Sequence, residues 1–253
     1  MRFQPRDMKI LKAVGLMAVA DRDQVKSACA FGSTTRVNAR LLVLVRLGML
    51  RRFYLGFGAG RKSVYALSEK GARMAEMPLR GPRRRQNETL VADYGVDHLL
   101  AINDVYCALA FRPIPVHGIR FRRWLAFHDT VSPSLRLIPD GYFELDIPGG
   151  ILAAFLEVDL GHESLAILKE KARQYLQLAI TSEFSRRFGQ PRFRVLVLAN
   201  SARRLRSIRG AIASLTEKIF WFATLDAGCQ DFFAPVWLRP AGDNPQPFIQ
   251  ETP

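Results

Sequence analysis

Apolar residues in the first eighty positions recur with helical and then strand periods. Ile10, Leu11, Val14 and Met17 follow Asp7 at helical spacing, and Asp7 can cap that helix. Asp21 or Asp23 can cap a short second helix that runs through Cys29 and is broken by Gly32. Ser33 or Thr34 starts a third, whose apolar stripe is Val37, Leu41, Leu44, Val45 and Leu47, with Gly48 as terminator. Two β-rich runs follow, Met49–Leu55 and Ser63–Leu67, joined by the glycine-rich turn 56–60. Ser68 opens a last helix through Met77.

Three helices and then a two-stranded ribbon is the winged-helix order, assigned to residues 1–80. Residues 81–112 read as a linker and connecting helix. Pro78–Arg85 is rich in proline, glycine and arginine, and a helical run follows from about Glu88 to Phe111. His98 on that run is read as a hydrogen-bonded structural residue. Beyond residue 113 strand-like and helix-like runs alternate. Val116–Phe127 is extended, and Leu135–Ile147 is a strand pair or bent strand. Gly149-Gly150 is a turn, and Ile151–Val158 is an apolar run suited to a strand buried on both faces. A helix over 162–182, a strand Phe193–Ala199, a basic helix over 201–218, and strands Ile219–Thr224 and Phe232–Leu238 complete the pattern. The alternation predicts an α/β domain over 113–240 with a mostly parallel central sheet, followed by a tail over 241–253.

Composition narrows the function class. Hydrophobic residues make up 49% of the chain, enough for a real core, which excludes global disorder. No run of about 18 apolar residues marks a membrane span, and the N-terminus has no signal-peptide pattern. Cys29, Cys107 and Cys229 are isolated and odd in number, as expected of reduced thiols in a cytoplasmic protein. The net charge of +14 is unevenly placed. Residues 1–85 hold 19 Lys and Arg against 5 Asp and Glu, whereas residues 86–253 hold 18 of each. That block is the footprint of a polyanion partner, here double-stranded DNA. Thr35, Arg36, Asn38 and Arg40 lie off the apolar stripe of the third helix and are residue types that contact phosphates and base edges. Arg51, Arg52, Arg61 and Lys62 flank the ribbon, where a wing meets the DNA backbone. A solvated basic surface and a protein-docking winged helix are the competing readings.

The candidate chemistry is acidic. Asp140 lies in LIPDGYFEL, and Glu157 and Asp159 lie in FLEVDLG at the end of the most apolar strand. Strand alternation puts Glu157 and Asp159 on one face, and a hairpin at Gly149-Gly150 would bring Asp140 toward Glu157. Carboxylates gathered in that way call for a hard cation, Mg²⁺ or Mn²⁺. Lys169 and Lys171 on the next helix could steady a phosphate. The alternative is three surface carboxylates paired with arginines.

The segments RDMKILKAV, ARLLVLVRLGMLRR, VYALSEKGARMA, DHLLAINDVYCAL, IPDGYFEL, FLEVDLGHESLAILKEKARQYLQL and FRVLVLANSARR resemble, in that order, the replication-relaxation family. These are plasmid and conjugative-element proteins related to MOBC-type relaxases, and the resemblance spans about residues 5–240. It implies a winged helix followed by a PD-(D/E)xK nuclease-like domain, a restriction-endonuclease-like mixed sheet flanked by helices. It further implies binding at a plasmid or transfer origin and, in some members, metal-dependent nicking. Pro139-Asp140 then matches the PD element and Glu157 the second metal ligand. Asp159 stands where a standard ExK lysine would be, and Lys171 is the best match for a migrated lysine. On this reading Asp140, Glu157, Asp159 and Lys171 form the catalytic set, with the three carboxylates holding the metal. A non-catalytic DNA-binding regulator or replication accessory factor and a homodimer remain open.

Overall fold

The computed structural model describes residues 3–56, 61–90 and 93–249. It divides into two compact units, Met1–Arg112 and Pro113–Pro253, each described by itself.

The first unit contains α1 (Pro5–Met17), β1 (Ala20–Asp21), α2 (Arg22–Ala28), α3 (Thr34–Arg46), β2 (Leu50–Leu55), β3 (Lys62–Leu67), α4 (Glu69–Ala75), β4 (Thr89–Leu90) and α5 (Tyr94–Ala110). Its sheet runs β1-β3-β2-β4, with β2 and β3 forming the antiparallel ribbon and β1 pairing with β3. This is the winged-helix order. The predicted stripes form the core, since Ile10, Leu11, Val14, Val37, Leu41 and Leu44 are fully buried. Each such side chain contributes roughly 1.5–3 kcal/mol relative to exposure.

Asp21, not Asp23, caps α2. Its carboxylate accepts from Asp23 N and Gln24 N at 2.8 Å, and Gln24 Oε1 in turn accepts from Asp21 N at 3.2 Å. Asp7 is not a cap, because α1 begins at Pro5 and Asp7 lies in its first turn, accepting from Gln4 N at 2.7 Å. Residues 57–60 of the expected glycine-rich turn lie outside the described residues.

The segment assigned as linker and connecting helix packs into this unit. Thr89–Leu90 is a strand, not helix: it pairs in parallel with Tyr54–Leu55 on the free edge of the ribbon, and Leu90 joins Phe53 and Val64 in the core. Helix α5 is tied down by Gln24 Nε2, which donates to Leu100 O at 2.9 Å, and by Asn103 Nδ2, which donates to Val19 O at 2.7 Å.

The second unit contains β5 (Arg120–Leu125), β6 (Gly141–Ile147), β7 (Gly150–Asp159), α6 (Leu165–Ile180), α7 (Glu183–Phe188), β8 (Arg194–Ala199), α8 (Ala202–Ala213), β9 (Phe220–Thr224) and α9 (Leu225–Gln230). The sheet order is β5-β6-β7-β8-β9. The expectation of a mostly parallel sheet is corrected, because β5-β6-β7 are antiparallel and β7-β8-β9 parallel. The cause is the two-residue turn Pro148-Gly149 between the paired Ile147 and Gly150, too short for a crossover. Gly149 has φ +84°, which a side chain would resist.

One face of this sheet, with Phe155, Val195, Val197 and Phe222, packs against Leu168, Ala172 and Tyr175 of α6 and Ile208 and Ile212 of α8. The other face is covered by the C-terminal segment. Residues 232–238 form isolated bridges, Phe222↔Leu238 and Trp237↔Gln246, instead of a strand. Residues 241–249 are not a free tail, for Phe248 is fully buried with its ring 5.7 Å from Trp221 and 5.6 Å from Trp237.

Candidate functional site

The β6–β7 hairpin fixes the first two members of the site. Gly141 is the register partner of Leu156, so Asp140 comes level with Glu157, one step along. The Asp140 side chain turns onto this strand, with Oδ2 accepting from Val158 N at 2.7 Å. Glu157 is almost fully buried and points to the α6 side of the sheet. Its Oε2 takes Lys171 Nζ at 3.1 Å and its Oε1 takes the Tyr175 hydroxyl at 2.6 Å. Lys171 and Tyr175 are one helical turn apart on α6, hence on one face. Lys171 Nζ also donates to Glu163 Oε1 at 3.1 Å.

Burial pushes the Glu157 carboxyl up to about 7, and the neighbouring charge of Asp140 pushes the same way. Burial opposes the Lys171 ammonium, yet the charges of Glu157, Asp140 and Glu163 together raise its pKa above the ordinary lysine value. Tyr175, sealed in the core, is held well above the usual phenol range by burial and then by Glu157.

Asp159 is withdrawn from this group. Arg204 of α8 grips it with a two-pronged bond, Nε to Oδ1 at 2.7 Å and Nη2 to Oδ2 at 2.9 Å, and Gly161 N adds a third at 2.8 Å. Glu157 and Asp159 share a face as alternation requires, but two residues of strand separate them by about 6–7 Å, and different helices claim them. Asp140, Glu157 and Lys171 are thus brought together, and Asp159 is not. Among the described residues no three His, Cys, Asp or Glu side chains form a metal-holding group. Lys169 lies half-buried on α6.

On the first unit, α3 presents Thr35, Arg36 and Asn38 outward. Arg40 does not join them, because it pairs with the fully buried carboxylate of Asp7 and holds α3 to α1. Arg51 is likewise structural, donating to Leu67 O at 3.0 Å and Pro82 O at 2.8 Å. Arg52 lies over the Tyr54 ring at 5.0 Å and donates to Asn87. Arg61 covers the same ring at 4.3 Å and bonds Thr89. Lys62 pairs with Asp21 at 2.5 Å. Asn38, Arg52, Arg61 and Lys62 nevertheless line one cleft of about 660 Å³ between α3 and the ribbon. Arg83, Arg84 and Arg85 are exposed.

The family model described as replication-relaxation matches residues 11–190, a span from α1 through α7. The chain belongs to the replication-relaxation family. Comparisons with curated proteins and with solved structures returned no match. Membership in the replication-relaxation family points to a role in plasmid or mobile-element replication. The matched span holds Asp140, Glu157, Lys171 and Tyr175 and stops short of Arg204. No helix among the described residues is long and apolar enough to cross a membrane.

Three participants escaped the sequence reading. Glu163 and Arg204 carry no local signal, as each acts through the folded loop after β7. Tyr175 lies on the apolar face of α6 and is buried in the core. Its place four residues after Lys171 is the signal that its hydroxyl could share the partner of that lysine.

Proposed function

We propose that this replication-relaxation protein binds double-stranded plasmid or transfer-origin DNA through its winged helix and nicks it with the carboxylate pair of its α/β unit. One observation carries the nicking part: Asp140, just ahead of β6, is level with Glu157 on β7 and acts on its charge, with the Lys171 ammonium 3.1 Å from Glu157 Oε2. The lysine missing from β7 is supplied from α6.

Two carboxylates fit a divalent cation that keeps most of its water and shares a substrate phosphate, the usual habit of Mg²⁺. Asp140 and Glu157 would hold Mg²⁺ or Mn²⁺, and the bound ion would polarise the phosphoryl oxygen and acidify a water. Lys171 supplies positive charge where negative charge develops on the phosphate. Tyr175 fixes the Glu157 carboxylate so that its free lone pairs keep one direction. Asp159 and Arg204 close the loop after β7 and carry no chemistry in this scheme. On the winged helix, Asn38 reaches the groove, and Arg36, Arg52, Arg61 and Lys62 meet backbone phosphates.

The test is conversion of supercoiled origin plasmid to open circle with Mg²⁺ or Mn²⁺. Wild type should nick, Asp140→Ala should lose at least a hundredfold in rate, and both should shift the same DNA in a gel. Equal behaviour of wild type and Asp140→Ala ends the enzyme reading.

A second reading rests on the completeness of the Glu157 network. Both its oxygens already have protein donors, which suits a stable, non-catalytic fold beside a DNA-binding winged helix. Origin binding without metal-dependent cleavage would favour that version.

A further inference from the structure

On the sheet face opposite Glu157, two arginines, Arg194 and Arg239, lie against one tryptophan, and a third, Arg192, stands nearby. Arg194 opens β8 and lies between two rings, its Cζ 4.6 Å from the Trp221 centroid and 5.0 Å from that of Phe248. Arg239 lies 4.5 Å from the same Trp221 ring. Arg192, two residues before Arg194, is exposed. All three line a cleft of about 410 Å³ whose other walls include Ile147, Ile151, Phe193 and Ile219.

Among the described residues, none of the three arginines forms an ion pair with a carboxylate. Arg194 spends a donor on Phe248 O, and Arg239 spends one on Glu217 O at 3.1 Å, but a neutral carbonyl cancels no charge. Burial, followed by the charges of Arg239 and Arg192, pulls Arg194 down to about 10. Like charges at close range cost free energy unless an anion offsets them. The side-chain donors are not sealed in. Among the described residues the buried polar side-chain atoms without a partner are Arg123 Nε and Gln174 Oε1, so the unused N–H groups of Arg194 and Arg239 reach solvent.

The chemistry of the walls identifies the guest. Guanidinium forks match the oxygens of a phosphate two at a time. The cleft exceeds what a phosphate alone fills, and its aliphatic side, formed by Ile147, Ile151 and Ile219, suits the apolar faces of a sugar and base. Its volume falls in the range of small-ligand sites. Trp221 itself is buried and braced by arginines, so it anchors the cations and does not stack the guest.

We propose that this cleft binds a nucleotide by its phosphate, either as a free mononucleotide or as one unit of a DNA strand. The site stands apart from the carboxylate pair. Arg194 is level with Ala154 and Glu157 with Val197, so about 10 Å of strand separates the two levels. It is independent of the nicking proposal and survives the failure of that reading.

The test uses the full chain and measures binding of dTMP, of inorganic phosphate and of a short oligo-dT by titration calorimetry at low salt. Arg192→Glu is the main variant, because Arg192 is exposed and its loss leaves the fold intact, as a thermal melt would verify. Arg206→Glu, an exposed site on α8, is the charge-matched control. The expected result is dTMP binding that weakens at least tenfold in Arg192→Glu and less than twofold in Arg206→Glu, with inorganic phosphate a poorer ligand. Arg192-dependent binding of oligo-dT without dTMP binding also supports the site and assigns it to a strand unit. The proposal is overturned if no probe binds, if the two variants weaken binding equally, or if inorganic phosphate competes as well as dTMP.

Discussion

Glu157 is a buried acid with a basic neighbour, and its proton equilibrium is readable as stability. Its carboxyl stands near 7 in the folded chain against an ordinary value near 4.5. Between those values the folded state holds a proton that the unfolded state has released. Stability contributed by this group is therefore full below the unfolded value and is lost as pH rises through the folded one. Substituting Glu157→Gln removes that titration. Unfolding in urea from pH 4 to pH 8 should show the stability of wild type relative to Glu157→Gln falling steadily as pH rises from about 4.5 to 7. A difference that stays flat across this range would mean that Glu157 titrates normally. Arg204 gives a second prediction of this kind. Asp159 is buried and Arg204 only partly so, and removing Arg204 strands a carboxylate that keeps just its Gly161 bond, at a cost of about 1–3 kcal/mol. Arg204→Ala should therefore be destabilising by denaturant midpoint, and adding Asp159→Asn should recover a large part of the loss. If the double variant is no more stable than Arg204→Ala, Asp159 is not the group left stranded.

At the scale of elements, the first unit extends past the ribbon. Helix α5 and strand β4 bring Val96, Leu100 and Leu90 against Val19, Phe53 and Val64. A fragment of residues 1–80 lacks that cover and exposes the edge of β2, whereas residues 1–112 keep it. Circular dichroism melts should show a cooperative transition for 1–112 and a broad or absent one for 1–80. Equal cooperativity in both would make α5 dispensable. Sequence periodicity foresaw most elements here because the apolar stripes are long, as in α1, α3 and β7. It misassigned Thr89–Leu90, since a two-residue strand has no period of its own and exists only because β2 offers a free edge. It treated residues 241–253 as a tail because proline and polar residues hide one decisive aromatic, Phe248. The parallel bias arose in the same way, as alternation of strands and helices does not reveal a hairpin between consecutive strands. At the site, the approach of Asp140 to Glu157 followed from strand alternation and the glycine turn, while position on the next helix marked Lys169 and Lys171 alike and only the family resemblance singled out Lys171. The capture of Asp159 by Arg204 was illegible, because 45 residues of chain separate them and only the fold closes that distance.

Across the whole chain, charge and chemistry occupy different parts of the sequence. The entire excess of +14 lies in residues 1–85, while the carboxylate pair lies in a segment balanced between acid and base. If the first unit carries the electrostatic grip, DNA affinity must depend on salt through its cations alone. Each phosphate neutralised steepens the fall of log K with log salt by about 0.9. Fluorescence anisotropy with a duplex from 50 to 200 mM salt should give fragment 1–112 the same slope as the full chain, within one phosphate contact. Arg36→Ala should reduce that slope by about one, because its guanidinium is exposed and has no partner among the described residues. Arg40→Ala should leave the slope unchanged and lower the melting temperature instead, because Arg40 is committed to the buried carboxylate of Asp7. The two arginines lie four residues apart on one helix, so a count of basic residues treats them alike. The structure separates them by what each side chain already holds. A full-chain slope much steeper than that of the fragment would move part of the grip to the second unit, whose arginines would then count among the phosphate contacts.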